Sequence, residues 1–453
     1  MAQTKRANFA SKIGIILATA GSAVGLGNVW RFPFMAGHNG GAAFILLYFA
    51  CVLLLGIPGM VSEFIIGRHS QSNAARAYHH ISGQRLWQLV GYLGILTSVI
   101  ILGFYAVVAG WCLQYLFASV LGRLNGDADY VLNYFRTISS DSLKPCLWAI
   151  AFILITHLVV VRGVQRGIER ASKLLMPLLM LLLVIIVIAS CSLPGASAGI
   201  EFLLKPDFSM VSRSVLLEAL GQAFFSLSLG TACLCTYASY FGRDTNLLRS
   251  AGQIALLDTM IAILAGLMIF PAAFSVGVEP DSGPSLIFIT LPNVFRQAFG
   301  AMPVVGYVVS ILFYALLVFA ALTSTISMHE IGTVFCNEEL HLSRHQSACV
   351  FTVVCSLLSI GCSLSVGAMP GLQLFGLSLL DFFDFITAQI MLPLGAFLTS
   401  LFVGWFVDQQ LLHDEFTNHG TVSTNFFRAY QFAVRFIVPL CILLIFLHQF
   451  GLV

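Results

Sequence analysis

"GSAVGLGNVWRFP", Gly21 to Pro33, interrupts what should be the first membrane-crossing helix of the chain. Gly21, Gly25 and Gly27 each weaken a helix by about 1 kcal/mol relative to alanine, and Asn28 and Arg31 put polar groups where hydrocarbon is expected. An unpaired charge at that depth costs several kcal/mol. Three readings compete for such a stretch: a small-residue surface for close helix packing, a glycine loop that cradles phosphate, or a gap in the helix that holds a ligand.

Composition settles the solvent. Of 453 residues, 58% are hydrophobic and 9% charged, far below the roughly one-quarter charged residues of soluble domains. Apolar runs of about 20 residues, the length that crosses a hydrocarbon core, recur along nearly the whole chain. A net charge of +2 gives no reason to expect nucleic acid as a partner; the lipid bilayer is the expected surrounding. The eleven cysteines have neither zinc spacing nor a paired framework, and read as small apolar packing residues. The opening "MAQTKRANFASK" is not a cleavable signal peptide, so the first span is expected to stay.

Apolar runs between charged loops give about eleven spans: near Phe9–Gly37, Gly41–Gly67, Leu86–Leu121, Pro145–Val161, Ile168–Ser192, Val215–Phe241, Leu247–Val276, Met302–Cys336, Ala348–Val366, Leu372–Val407 and Phe427–Gln449. The stretch "EPDSGPSLIFITLPNVFRQAFG" reads as a long, half-apolar loop. Lys5, Arg6, Arg68, Arg76, Arg85, Arg162, Arg166, Arg170, Lys173, Arg243, Arg249 and Arg344 fall on one face, which the positive-inside rule makes cytoplasmic, with the N-terminus.

Further polar groups lie at membrane depth. "FFSLSLGTACLCTYAS" spoils the sixth span with Ser226, Ser228, Gly230 and Thr231, five spans after the first fault. That spacing suits two five-span repeats, 9–192 and 215–407, each opened by a broken helix, with 427–449 added. Glu63, Asp258, Asp384 and "ALTSTIS" (Ala321–Ser327) also sit within spans. A lone serine or threonine there ordinarily bonds its own i−4 carbonyl, but a mid-span carboxylate such as Asp258 marks a functional site by default. Hard oxygen ligands of this kind suit small cations. A phosphate loop needs a preceding strand, and close packing explains neither Asn28 nor the second fault. The ligand-holding gap explains them all.

"AGSAVGLGNVWRFP" with "NGGAAFILLY", "RGVQRGIERASKLLMP", "GQAFFSLSLG" with "TYASY", "LTSTIS" and "DFFDFITAQIMLPLG" follow the order of motifs in the neurotransmitter:sodium symporter family. The chain resembles its bacterial amino-acid transporters over essentially its whole length. The resemblance implies an all-α membrane protein of two inverted five-helix repeats with broken first and sixth helices, here with eleven spans where the family usually has twelve. It implies a sodium-coupled symporter, not an enzyme, in a bacterial inner membrane.

Carried over residue by residue, the resemblance implies two sodium ions. One would lie among Ala23, Asn28, Ser226, Asp258 and the substrate carboxylate. The other would lie among the carbonyls of Gly21, Val24 and Ala320 and the hydroxyls of Thr323 and Ser324. Leu26, Gly27 and Tyr105 would hold the carboxylate in the space left by Gly25, where monoamine carriers place an aspartate. Ile101, Val108, Phe225, Ser228, Thr231, Ser324 and Met328 would line a pocket for a neutral, hydrophobic L-amino acid, with an aromatic one fitting the room left by Thr231. Arg31 with Asp384 would gate the outer side, and Arg6 with Glu338, supported by Tyr240, the inner side. Glu63 would brace the broken helices. Animal relatives hold chloride near Tyr48, Gln222 and Ser226. Here Asp258 is expected to supply that charge, so that chloride is not required. A sodium-dependent sensor or channel on the same fold is the rival reading. An intramembrane hydrolase built on "PGASAG", with Ser197 and His157, is a remote one.

Overall fold

The computed structural model describes residues 8–124, 126–277, 286–422 and 425–449. These are helical almost throughout, the one strand pair among them being the hairpin Gln373–Leu374 with Leu377–Ser378. Eight helices cross as continuous rods: Ala42–Ser70, Arg85–Val120, Val164–Cys191, Leu247–Ser275, Pro303–Glu339, Arg344–Val366, Leu379–Phe406 and Asn425–His448. The first span is a pair, Lys12–Ala23 and Gly27–His38, bent by 55°. The fourth, Lys144–Val160, follows the amphipathic helix Ala128–Ser140 at 77°. With the sixth, Arg213–Ser226 and Cys233–Ala238 broken across 227–232, the described chain has eleven spans.

Two boundaries differ from the sequence reading. The tenth span starts at Leu379 rather than near Leu372, because Phe375 (φ 53°) and Gly376 (φ 81°) turn the hairpin. Ser378 then caps the helix by accepting the Asp381 N–H at 3.1 Å. The "SLIFITLPNVFRQAFG" segment is not a loop where it is described: Leu286–Thr290 and Leu291–Ala298 are helical and bury Ile287, Phe288, Leu291 and Phe295.

The lipid-facing exterior and the packed interior follow from the sequence. Leu53, Leu54, Leu181, Ile188 and Leu357 face outward, and the first span packs in the middle against the fifth, seventh and eighth. All eleven cysteines are free, eight of them buried. At the side from which the first span starts, called the near side below, Glu169 accepts from Ala10 N (2.7 Å), Ser11 Oγ (3.0 Å) and Lys173 Nζ (2.7 Å), anchoring that span's start.

Prolines shape the spans in a way their apolar periodicity hides. Of the seven wide π turns among the described residues, Val164–Glu169 and Phe402–Phe406 precede no proline in this way; the other five cover Gly27–Arg31, Val52–Gly56, Leu286–Thr290, Ile386–Met391 and Ala433–Ile437. Each ends two residues before a proline: Pro33, Pro58, Pro292, Pro393 and Pro439. Proline has no N–H, and its ring presses on the carbonyl one turn back. The preceding turn therefore opens by a residue, as when Phe32 N–H bonds Gly27 O, five residues back,. The break in the first span thus has two causes, glycines before it and Pro33 after it.

In the sixth span, Ser228, Gly230 and Ala232 take positive φ (55°, 81° and 62°). Gly230 is needed twice over: a Cβ there would stand 2.4 Å from the Leu392 carbonyl oxygen of the tenth span. Gly230→Ala is expected to lower the unfolding midpoint of the detergent-solubilised protein, costing about 1–3 kcal/mol from backbone conformation alone. Gly252→Ala, where a Cβ meets nothing within 4 Å, is the control expected to leave the midpoint unchanged.

Candidate functional site

Helix Lys12–Ala23 stops because Val24 is extended (φ −71°, ψ 111°), which frees carbonyls and N–H groups in the protein's centre. Beside this gap lies a cavity of about 850 Å3. All the residues named for substrate line it: Ala23, Gly25, Leu26, Gly27, Ile101, Tyr105, Val108, Phe225, Ser226, Ser228, Thr231, Ser324 and Met328. Tyr105 Oη accepts the Leu26 N–H at 3.0 Å. A Cβ on Gly25 would come 2.4 Å from Ser324 Oγ and 3.0 Å from Tyr105 Oη, so only glycine leaves this corner open.

Asn28 and Asp258 lie below this wall, both fully buried. Asp258 Oδ1 accepts from Asn28 Nδ2 at 2.8 Å; Oδ2 accepts from Ser226 Oγ at 2.8 Å and Tyr48 Oη at 3.0 Å. Asn28 Oδ1 in turn accepts the Gly25 N–H at 3.1 Å. Among the described residues, no basic side chain pairs with Asp258. A buried carboxylate among three neutral donors is an arrangement that suits a small hard cation.

The second oxygen cluster joins the first and eighth spans. Thr323 Oγ1 donates to Val24 O (3.2 Å) and Ala320 O (2.9 Å), and Ser324 Oγ reaches the same two carbonyls at 3.2 and 3.4 Å. Gly21 lies close by, its Cβ position 3.3 Å from Thr323 Cβ. Four uncharged oxygens converging without a carboxylate suit a monovalent hard cation. Gly21, Val24, Asn28, Asp258, Ala320 and Thr323 stand outside the cavity's lining, so both clusters sit behind its wall.

The sixth-span break faces the first. Ser228 Oγ donates to Ser22 O at 3.1 Å, and Ser98 Oγ holds Thr231 O at 2.7 Å. Glu63 Oε1 accepts the Gly230 N–H at 2.7 Å, a bracing contact on the unwound segment.

The far-side gate residues share the cavity without forming an ion pair. Arg31 stacks on Phe225, its guanidinium carbon 4.2 Å from the ring centre, a cation–π contact of about 0.5–2 kcal/mol. Asp384 lines the same space, which runs on past both residues to Trp30, Glu218 and His448.

On the near side the sequence reading places Arg6 with Glu338, supported by Tyr240. Arg6 lies outside the described residues. Glu338 accepts from Asn73 N (2.8 Å) and Asn73 Nδ2 (3.0 Å). Tyr240 Oη donates to Glu330 Oε1 at 2.7 Å, and Arg344 pairs with Glu330 at 2.6 Å while also holding Val160 O at 2.8 Å. Tyr240, Glu330, Arg344 and Val160 therefore lock the sixth, eighth, ninth and fourth spans together. Glu330 was legible: a carboxylate inside the eighth span carries the same signal as Asp258. His157 bonds Thr352 Oγ1 at 2.8 Å, and Ser197 belongs to a separate helix, Ala196–Leu204.

Comparison with known proteins agrees with this architecture. The description of the sodium:neurotransmitter symporter family matches residues 6–128 and 127–452. The chain belongs to that family. An uncharacterized sodium-dependent transporter of Bacillus subtilis is 40% identical over all of this chain and 99% of its own length. Another, of Haemophilus influenzae, is 34% identical over 98% of both chains. The crystal structure of MhsT in complex with L-phenylalanine matches 98% of this chain and 99% of its own, with a TM-score of 0.88 and 40% identity. As a member of the family the chain is a sodium-dependent symporter of the membrane and not an enzyme, which removes the hydrolase reading.

Glu330→Ala is expected to strand Arg344 and lower the unfolding midpoint, at a cost of about 3–5 kcal/mol. An unchanged midpoint would show that this pair does not hold the near side.

Proposed function

We propose that this symporter imports a neutral, hydrophobic L-amino acid, including aromatic ones, with two sodium ions and without chloride. The observation that carries the reading is the uncompensated Asp258 carboxylate, bonded to Asn28 directly behind a cavity wall made of Gly25, Leu26 and Gly27. A zwitterion suits this corner at both ends. Its carboxylate would meet the Leu26 and Gly27 N–H groups and the Tyr105 hydroxyl, and complete the ligands of the sodium ion at Asn28 and Asp258. Its ammonium would meet carbonyls of the broken sixth helix near Phe225 and Ser228. The crystal structure with L-phenylalanine of a 40% identical relative supports an amino acid as the cargo.

The second sodium ion is assigned to Val24, Ala320, Thr323 and Ser324, with Gly21 beside them. There it would tie the first span to the eighth, so that its release loosens the two. The same geometry supports the reading that chloride is not required. Tyr48 and Ser226, two of the groups that hold chloride in animal relatives, both donate to Asp258 Oδ2. On this reading the carboxylate would take the anion's part.

Alternating access is read as movement of repeat 9–192 against repeat 215–407, with 427–449 outside the pair. Arg31 and Asp384 would approach over a bound substrate on the outer side, with Phe225 and Tyr105 as the lid. Tyr240, Glu330 and Arg344, with Glu338 nearby, would part on the inner side. The near side is assigned to the cytoplasm of a bacterial inner-membrane protein, from the basic residues gathered there.

In proteoliposomes, an inward sodium gradient is expected to drive uptake of radiolabelled phenylalanine or leucine, with no loss when gluconate replaces chloride. Asp258→Asn is expected to abolish uptake in chloride-free medium. Tyr105→Phe is expected to raise KM about tenfold or more, as for a lost hydrogen bond to a charged group. Uptake of aspartate or lysine in preference, or collapse without chloride, would contradict the proposal.

A further inference from the structure

The last carbonyls of a helix have no partner within it, and at the near-side end of the tenth span an arginine of the eleventh takes one of them. The wide turn Phe402–Phe406 stops where Val407 becomes extended (ψ 137°), and Arg435 Nε donates to Gly404 O at 2.6 Å. The approach is close enough to need a glycine, since a Cβ on Gly404 would press on Arg435 Cα at 3.1 Å. Trp405 Nε1 donates back to Arg435 O at 3.3 Å, and the guanidinium carbon lies 5.7 Å from the Trp405 ring centre. Gly404 stands two residues before the end of the tenth span at Phe406. The guanidinium is therefore fixed in the seam between the two spans, at the near-side edge of the hydrocarbon.

A guanidinium carries five N–H donors and a full charge, and the bond to Gly404 uses one donor and none of the charge. Among the described residues no carboxylate pairs with Arg435. The acids on the linker after the tenth span are engaged elsewhere: Asp408 accepts the Gln410 N–H at 2.8 Å, Asp414 faces His413 at 3.7 Å, and Glu415 is held by Arg68 at 2.7 Å and His69 at 3.1 Å. The surface around the guanidinium is apolar and open. Trp405, Phe406, Phe432 and Phe436 are all exposed, with the Trp405 and Phe436 rings 5.6 Å apart. Tryptophan on a lipid-facing surface marks the level of the headgroups, which is the level of the lipid phosphates, and a planar guanidinium binds a phosphate through two parallel N–H bonds. We infer that Arg435 and Trp405 form a binding site for the phosphate of an anionic phospholipid in the near-side leaflet, its acyl chains lying along Phe436 and Leu440. Anionic lipid is favoured over zwitterionic because the seam offers no acid to a choline group. Arg428, also exposed and nearer the start of the same span, adds a second positive charge on that side.

Trp405 itself can report the lipid beside it. The purified full-length protein is reconstituted in phosphatidylcholine vesicles carrying a minor fraction of brominated lipid, either phosphatidylglycerol or phosphatidylcholine with the same acyl chains. Bromine quenches nearby indole fluorescence, and subtracting the signal of Trp405→Phe isolates Trp405 from the other four tryptophans. Phosphatidylglycerol is expected to occupy the site about fivefold more readily than phosphatidylcholine, the preference due to one basic side chain at an anionic headgroup. That ratio is expected to fall towards one in Arg435→Gln and to persist in part in Arg435→Lys, which keeps the charge. Millimolar inorganic phosphate is expected to leave the quenching unchanged. Equal quenching by the two lipids in the unaltered protein would overturn the inference without recourse to any variant at Arg435. A preference undiminished in Arg435→Gln would overturn the assignment to this arginine, and its loss on adding inorganic phosphate would show a site for a free anion in place of a lipid.

Discussion

A buried carboxylate with no basic side chain beside it among the described residues governs the centre of this protein. Asp258 is fully buried and takes its hydrogen bonds from an amide, a serine and a tyrosine. Neutral donors soften the cost of burying a charge but do not cancel it. The family depends on sodium, and Asp258 is the place proposed here for one such ion. Asn28, the amide that reaches it, belongs to the broken stretch of the first span. The same few residues therefore adjoin Asp258 on one side and the cavity on the other, the connection that coupled transport would use.

Helix breaks make that connection possible, and their placement is over-determined. Glycines loosen the first span before the gap and Pro33 prevents its simple continuation after it. In the sixth span, Gly230 supplies a positive φ and a close approach to the tenth span that no other residue allows, while Glu63 takes up a freed N–H. Prolines recur two residues after a wide turn in the second, tenth and eleventh spans as well. The whole bundle is thus built from rods that are locally opened, and substrate-facing backbone appears only where those openings meet. Irregular backbone within a membrane is tolerated under that condition, where it is buried in protein or lines a cavity.

Most of this was legible in the sequence for physical reasons. Apolar runs gave the spans, because hydrocarbon thickness admits few alternatives. Asn28, Arg31 and Asp258 stood out because polar groups at depth need a reason. The family resemblance then named cavity residues that do share one cavity. What the sequence hid was pairing over long separations. Glu330 accepts from Tyr240 and Arg344, contacts that span 90 and 14 residues, and nothing local in "HEIGTVFCNEEL" announces those partners. The hairpin before the tenth span was hidden too, since Leu372, Leu374 and Leu377 read as membrane residues although Phe375 and Gly376 turn the chain. The proline-linked wide turns could have been marked from the prolines alone, but apolar periodicity does not register a turn opened by one residue.

The central claim is that one gap in the first span holds ion and cargo together, so that each requires the other. It is tested most directly by measuring sodium affinity with and without saturating phenylalanine, and phenylalanine affinity with and without sodium, on the purified protein. Linkage demands that the two factors be equal, and the expected result is a tightening of both by the same factor of ten or more. Phenylalanine binding of undiminished affinity when choline replaces sodium would contradict the claim.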